Sequence, residues 1–328
     1  MALRYKTGAA ASRSLRAGPN GLARGQVTEI QRSRMIAAAV DTVEESGYAR
    51  MTVAQVIGRA RVSRKTFYDV FADREDCFLA AFDQAVEQLR GLVGDAFRGE
   101  PSWRDGVRSS LACLLVFMED EPALARFCMI EALGAGERVL ERRADVLAEL
   151  AAAIDQGRLV SSTAREPPPV TAEGVVGAVF AVLHTRLLDG GREPLTSLLG
   201  SLMSMIVLPY LGTRAARAEL SRGPVDIRRH RTKQMPPRPE DPLVGLNMRL
   251  TYRTVRVLSV IAKYPGASNR QIAGGSGIAD QGQISKLLTR LAGLDLVYNA
   301  GEGHERGAAN AWHLTPRGAE VERATRRP

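Results

Sequence analysis

Apolar residues recur at helical spacing over most of the chain, and this pattern predicts a mainly α-helical protein. An apolar stripe from residue 27 continues to Gly47, which predicts a first helix that ends at a glycine cap. Residues 52–55, Thr-Val-Ala-Gln, have the form of a capping box and open a short second helix. Ser63 and Asp73 are placed to cap a third helix and a fourth. Two short helices joined by a tight turn and packed on a longer one predict a helix-turn-helix.

The same segment resembles the DNA-binding region of the TetR/AcrR family over about residues 26–82. The resemblance rests on Thr-Val-Ala-Gln-Val-Ile from residue 52, Val-Ser-Arg-Lys-Thr-Phe-Tyr-Asp-Val-Phe from residue 62 and Asp-Arg-Glu-Asp-Cys-Phe from residue 73. It implies a three-helix DNA-binding domain followed by an all-helical effector and dimerisation domain. One departure is Arg61, which stands where the family usually has a glycine in the turn. A side chain there costs about 1 kcal/mol if the backbone is left-handed.

The third helix is predicted to present a polar face to the major groove of DNA. With Phe67 and Phe71 directed inward, the outer face carries side chains that bind guanine acceptors or contact a thymine methyl group. Flanking residues suit phosphate contacts, and a basic residue just before the first helix suits the minor groove. Any one of these residues taken alone is as well explained by a solvated surface. The DNA-binding residues predicted here are Arg24, Thr52, Ser63, Arg64, Lys65, Thr66, Tyr68 and Arg74.

Charge is unevenly distributed along the 328 residues, whose net charge is +9. Residues 1–77 contain 13 Lys and Arg against 8 Asp and Glu, residues 78–220 contain 14 against 19, and residues 243–328 contain 12 against 6. Two basic ends around an acidic middle favour a polyanion bound at the ends. The predicted organisation is a flexible basic arm (1–25), a helix-turn-helix domain (26–77), a helical ligand-binding and dimerisation domain (78–220), a linker rich in Pro and Arg (221–242) and a C-terminal domain (243–328).

The middle domain is predicted to hold a dimer interface and an effector pocket. Two very apolar segments, 171–188 and 194–211, contain small residues, and the family resemblance implies that they form a four-helix bundle with a second subunit. A core pair within a monomer is the alternative. The predicted interface residues are Gly177, Ala181, Gly200 and Ser204. Candidate pocket residues, on a stripe of a kind that is more often plain core, are Trp103, Leu115, Met118, Phe127 and Ile130.

A second set of elements follows the linker: a helix, a capping box at residues 268–271, a longer helix opened by Asp280, strands at 294–298 and 311–314, and a last helix opened by Thr315 and Pro316. This small α+β order resembles a winged helix-turn-helix of the MarR-like group over about residues 245–325. It implies a second DNA-binding module, although Gly282 and the missing long flanking helices depart from that group. Use of the module for protein contact is the alternative. Its predicted DNA contacts are Gln281, Gln283, Ser285, Lys286, Thr289, Arg290, His304 and Arg306.

Other classes of function are disfavoured. The four histidines lie apart, and the chain has no GxSxG, P-loop or HExxH motif, so no enzyme activity, metal or cofactor is expected. Three cysteines without CxxC spacing, the lack of a signal peptide and the lack of a clear membrane span favour the cytoplasm. The sequence predicts a homodimeric, ligand-responsive repressor that binds double-stranded DNA and a small-molecule effector that the sequence does not identify. An architectural protein that bridges DNA without an effector is the alternative.

Overall fold

The computed structural model describes residues 22–161, 163, 166–190, 193–223, 251–278, 280–301 and 310–326. The chain divides into two compact units. The larger unit spans Ser33–Pro239, and the smaller unit joins Met1–Arg32 to Glu240–Pro328. Helices dominate the described part, so the prediction of a mainly α-helical protein is confirmed.

The helices described from the start of the chain to residue 223 are α1 (Leu22–Ser46), α2 (Val53–Ala60), α3 (Arg64–Val70), α4 (Arg74–Arg98), α5 (Trp103–Asp120), α6 (Pro122–Met129), α7 (Glu137–Asp155), α8 (Thr171–Leu188) and α9 (Leu199–Leu220). The predicted arm extends to residue 25, but α1 already begins at Leu22. The boundary between the two units falls inside α1, after Arg32. Asp73 caps α4 as predicted, because its Oδ1 accepts the Asp76 N–H at 2.7 Å.

Two main apolar cores stabilise the larger unit. The first joins the helix-turn-helix elements to α6 and α7, and within it the rings of Phe78 and Phe127 stack 4.0 Å apart. The second joins α5, α8 and α9 around Leu115, Met203 and Tyr210. Because the first core contains α3 and α4 as well as α6 and α7, the predicted DNA-binding helices pack directly on the helical domain.

The last described helix of the larger unit, α9, is broken at Gly212, whose φ of 76° and ψ of 179° lie outside the helical region. Past the break, the fully buried Glu219 accepts hydrogen bonds from Arg104 and Arg108 of α5. Of these two arginines, Arg108 is the more buried, because its side chain is 3% exposed and that of Arg104 is 28% exposed. The end of α9 is therefore held on α5 by a buried cluster of charges.

The predicted linker begins at residue 221, but its first residues are bound to α5. Arg108 Nη2 donates to the carbonyl oxygens of Arg222 and Gly223 at 3.1 and 2.7 Å. Arg222 Nη2 in turn contacts Asp105 Oδ1 at 2.6 Å. Residues 221–223 thus belong to the larger unit by contact, and residues 224–242 lie outside the described residues.

The elements of the smaller unit described after residue 250 are α10 (Tyr252–Lys263), α11 (Asn269–Ser276), α12 (Gln281–Ala292), β1 (Val297–Asn299), β2 (Trp312–Leu314) and α13 (Pro316–Arg326). β1 and β2 pair antiparallel, with Val297 opposite Leu314 and Asn299 opposite Trp312. Both predicted strands are present but shorter than expected. The capping box at Ser268 and the cap at Asp280 are confirmed.

The core of the smaller unit includes residues from the start of the chain. Val27 is 5% exposed and belongs to the same apolar cluster as Leu258 and Leu288, and Ile30 packs against that cluster. Val27 and Ile30 are three residues apart on α1 and therefore lie on one helix face. The C-terminal elements complete their core with a helical segment from the opposite end of the sequence.

Val27→Asp is expected to destabilise the smaller unit by about 2–4 kcal/mol, because a carboxylate without a partner would replace a buried isopropyl group. Limited proteolysis of the full chain, with cleavage sites identified by mass spectrometry, measures this as faster cleavage within residues 251–326. Glu29→Ala, on the exposed side of the same helix, is the matched control and should change stability by less than about 0.5 kcal/mol. Equal rates of cleavage within residues 251–326 in the two variants would contradict the assignment of Val27 to this core.

Candidate nucleic-acid interface

Two short helices, α2 and α3, form the framework of the candidate interface. α2 begins at a capping box, in which Thr52 Oγ1 accepts the Gln55 N–H at 3.3 Å and Gln55 Oε1 accepts the Thr52 N–H at 2.9 Å. α3 begins after Ser63, whose Oγ accepts the Thr66 N–H at 2.9 Å. Both caps confirm the sequence prediction, and they fix the two helices of the helix-turn-helix independently of any bound DNA.

The turn between α2 and α3 contains a left-handed residue. Arg61 has φ 54° and ψ 44°, which is the left-handed conformation. Glycine adopts this conformation most easily, and the family resemblance implies a glycine at this position. The Arg61 backbone N–H donates to Ile57 O and so caps the C-terminal end of α2. In this conformation the Cβ atom of a non-glycine residue lies too close to the following carbonyl oxygen, which strains the backbone.

Arg61→Gly is expected to raise the free energy of unfolding by about 0.5–1 kcal/mol, because it removes that strain. Urea denaturation of the full chain measures the change. Arg61→Ala is the control, since it removes the contacts of the Arg61 side chain and keeps the strained Cβ atom. If glycine and alanine had the same effect on stability, the left-handed strain would not be the cause.

The outer face of α3 carries two cations and a phenol. Phe67 is fully buried and Phe71 nearly so, which orients the helix, while Arg64, Lys65 and Tyr68 are exposed. The Tyr68 side chain is 53% exposed, and its ring packs edge-on against Phe67 at 5.4 Å. Within the described part of the chain, neither Arg64 nor Lys65 forms an ion pair. This face can therefore donate hydrogen bonds to an acceptor from outside the chain.

Two further residues of α3 affect which groups this face offers to a ligand. Thr66 is half-buried, and its hydroxyl lies 2.8 Å from Ser63 Oγ, so it is committed to the cap. Asp69 is exposed four residues after Lys65 and is not among the DNA-binding residues predicted from the sequence. A carboxylate at this position can accept a hydrogen bond from a cytosine amino group and repels phosphate. The helical spacing from Lys65 was the signal that could have found it.

Two residues predicted to contact DNA, Arg74 and Arg24, do not lie on the exposed face of α3, because they belong to α4 and α1. Arg74 is directed to its own domain, where Nη1 donates to Met51 O at 3.0 Å and the guanidinium lies 4.8 Å from the Tyr48 ring centroid. Burial raises the pKa of the Tyr48 phenol, and the charge of Arg74 opposes that rise. The side chain of Arg24 lies outside the described residues.

A second candidate surface lies on α12 in the smaller unit. Ile284, Leu288 and Leu291 face the core. Six predicted contact residues are exposed on the other faces of the helix: Gln281, Gln283, Ser285, Lys286, Thr289 and Arg290. Arg253 of α10 adds a cation to this surface, because its Nη1 donates to Gln283 Oε1 at 3.2 Å. The predicted wing residues His304 and Arg306 lie outside the described residues.

The predicted pocket residues are all in packed positions. Trp103, Leu115 and Met118 belong to the second core, Phe127 belongs to the first, and Ile130 is half-buried against the second. The indole Nε1 of Trp103 is buried and has no hydrogen-bond partner among the described residues.

The predicted interface residues differ in their surroundings. Gly177 and Ala181 are exposed on α8, and Ser204 is half-buried on α9. Gly200 instead faces its own subunit, because a Cβ atom at this residue would lie 3.0 Å from the carbonyl oxygen of Glu219. Its small size is needed for the return of the chain past Gly212.

Two further observations concern metal ions and membranes. No group of three or more His, Cys, Asp and Glu side chains suited to a metal ion occurs among the described residues. By length and composition alone, Thr171–Leu188 and Leu195–Leu220 could cross a membrane, and only 22% and 39% of their most apolar windows are buried. This is a weak indication of a membrane span, because apolar helices of a protein core pass the same test.

Residues 35–81 match the family model described as "Bacterial regulatory proteins, tetR family", so the N-terminal domain is a TetR-family domain. Three solved structures are similar to about half of this chain. The fatty acid degradation regulator FadR from Bacillus halodurans is 16% identical, with 53% of this chain and 97% of that chain covered and a TM-score of 0.49. SmeT, the repressor of the Stenotrophomonas maltophilia multidrug efflux pump SmeDEF, is 18% identical, with 56% and 92% covered and a TM-score of 0.48. A TetR family transcription regulator from Marinobacter aquaeolei VT8 is 23% identical, with 54% and 94% covered and a TM-score of 0.44. The comparison with curated proteins gives no match.

Proposed function

We propose that this chain is a cytoplasmic, homodimeric transcriptional repressor that binds a palindromic operator and is released from it by a small-molecule effector. The exposed face of α3 carries the proposal. Arg64 and Lys65 have no ion-pair partner within the described chain, and they lie one helical turn before the exposed Tyr68. The domain that presents them matches the tetR family. Arg and Lys in the major groove bind the O6 and N7 acceptors of guanine, and each good bidentate contact is worth about 1–3 kcal/mol of discrimination.

A two-fold dimer through α8 and α9 is supported by the apolar surface that these helices leave uncovered. Most of each helix is apolar, yet less than half of its most apolar window is buried within the subunit. Gly177 and Ala181 of α8 are exposed, as are Met205 and Leu208 of α9. Exposed apolar patches are typical of interaction sites on soluble proteins, and small residues allow two helices to approach closely. A dimer would present two copies of α3 to two half-sites.

Communication between the effector region and the DNA-binding helices is supported by polar contacts at their junction. The Tyr48 N–H donates to Glu131 Oε2 at 2.8 Å. Arg138 of α7 forms an ion pair with Asp76 of α4 at 2.8 Å, and its N–H donates to Glu75 Oε1 at 3.1 Å. A ligand that shifts α6 and α7 would therefore also shift α4 and the DNA-binding helices. Only a difference in ligand affinity between the two states can drive this change.

The smaller unit is proposed as a second DNA-binding module of the winged-helix type. A capped α12 with an apolar inner face and an exposed polar and cationic outer face supports this assignment, as does the pair of strands that follows it. Lys286, Arg290 and Arg253 would supply the contacts to DNA.

Footprinting of the full chain on a selected duplex tests the proposal. Two protected half-sites should be centred about 34–36 Å apart or at a multiple of that distance, with two-fold symmetry. Lys286→Ala/Arg290→Ala should shorten the flanking protection and leave the palindromic centre protected. Featureless coverage with a steep salt dependence would contradict the proposal and support an architectural DNA-bridging protein.

A further inference from the structure

Every described arginine on α7 except one has a carboxylate partner. Arg138 pairs with Asp76, and Arg142 Nε contacts Asp83 Oδ1 at 2.7 Å. Arg143, the next residue, forms no hydrogen bond or ion pair with any described residue, although it is only partly exposed. Its guanidinium therefore differs from those of its neighbours on the same helix.

The position of Arg143 is on the apolar stripe of α7. Val139 is fully buried four residues before it, Val146 packs on the first core, and Leu147 packs on a small cluster with α8 four residues after it. Residues at this spacing lie on one helix face. The opposite face carries the exposed Glu141, Asp145 and Glu149. Arg143 is thus the cation on the inward side of the helix.

A partly desolvated cation is unfavourable unless a counter-charge accompanies it. Burial with no compensating carboxylate lowers the pKa of the Arg143 guanidinium. Arginine binds carboxylate and phosphate groups through two parallel hydrogen bonds, and ligand sites combine mostly apolar walls with a few such polar groups. The missing partner of Arg143 would then be part of the ligand.

We infer that the effector, whose existence rests on the proposed function, is an amphiphilic organic anion whose carboxylate or phosphate head binds Arg143 and whose apolar body contacts the partly buried Val146 and Leu147 beside it. A neutral apolar molecule would leave the guanidinium without a partner. Carboxylate and phosphate share the acceptor geometry that Arg143 recognises, so the test separates them.

Isothermal titration of the full chain with decanoate, decyl phosphate and decan-1-ol tests the inference. At least one anion should bind about 10- to 100-fold more tightly than the alcohol. Arg143→Met, which keeps length and removes charge, should abolish that preference, and Arg142→Met should retain it. The anion with the larger preference identifies the head group. Equal affinity of the anions and the alcohol for the wild-type chain, or a preference that survives in Arg143→Met, would overturn the inference.

The ligand-free protein gives a second, independent measurement. Without added ligand, Arg143→Met should raise the Tm by about 2–4 °C, because it removes a partly desolvated charge that has no partner among the described residues, whereas Arg142→Met should not raise it. A lower Tm for Arg143→Met would overturn the inference. DNA binding is measured separately on the same proteins. If the wild-type chain binds DNA but shows no preference for the anions, only this inference fails. If the wild-type chain prefers an anion but binds no duplex, only the proposed function fails.

Discussion

Lys65→Ala/Tyr68→Ala is expected to lower the affinity of the full chain for its selected operator about 100-fold or more. Each subunit of a dimer would lose two contacts to base edges or phosphates, and base contacts contribute about 1–3 kcal/mol each. Both side chains are exposed on α3, so the variant should keep its fold. Fluorescence anisotropy at a fixed salt concentration measures the affinity, because such affinities depend steeply on salt.

The matched control for that variant is Arg98→Ala, which also removes an exposed cation. Arg98 is the last residue of α4, and a helix of 25 residues is about 37 Å long, so Arg98 lies far from the start of the helix beside the DNA-binding elements. Its loss should change operator affinity by less than about threefold. Affinity for unrelated duplex should fall less than operator affinity in the double variant, because Tyr68 carries no charge. Equal losses on operator and unrelated duplex would contradict a role in base recognition.

Glu219→Ala is expected to lower the free energy of unfolding of the larger unit by about 3–5 kcal/mol. The carboxylate is fully buried between Arg104 and Arg108, and removing it leaves a buried guanidinium without its counter-charge. The end of α9 would also lose its attachment to α5. Urea denaturation monitored by circular dichroism measures the loss.

Asp95→Ala is the control for Glu219→Ala, since it removes a carboxylate paired with an exposed arginine. Arg98 is 70% exposed at its side chain, and pairs of this kind contribute about 0–1 kcal/mol. A similar loss of stability in both variants would show that the buried cluster contributes no more than a surface ion pair.

The local features of the fold could be predicted from the sequence because their signals are local. Thr52 with Gln55, Ser63, Asp73 and Ser268 with Gln271 are capping patterns that need only three or four residues, and all were found where expected. The exposed side of α3 followed from the same helical spacing. These predictions succeeded because a capped helix start and an apolar stripe are set by neighbours in sequence.

The features that could not be predicted depend on residues far apart in the chain. The spacing of Val27 continues the apolar stripe of α1 and predicts that it packs with the helix-turn-helix, but its apolar cluster contains Leu258 and Leu288 instead. Glu219 meets Arg108 only because the chain turns at Gly212. Nothing in the local sequence distinguishes Arg142, which pairs with Asp83, from Arg143, which has no partner among the described residues. That difference depends on which helix faces each side chain.

Selection from a random duplex library with the full wild-type chain and with Lys65→Gln tests the central claim most directly. If the outer face of α3 contacts base edges, the wild-type chain should select a palindromic sequence. The variant should keep the palindrome and its spacing but change its base preference at one symmetric pair of positions. Identical preferences for both proteins at every position would contradict the claim that α3 reads the sequence of the operator.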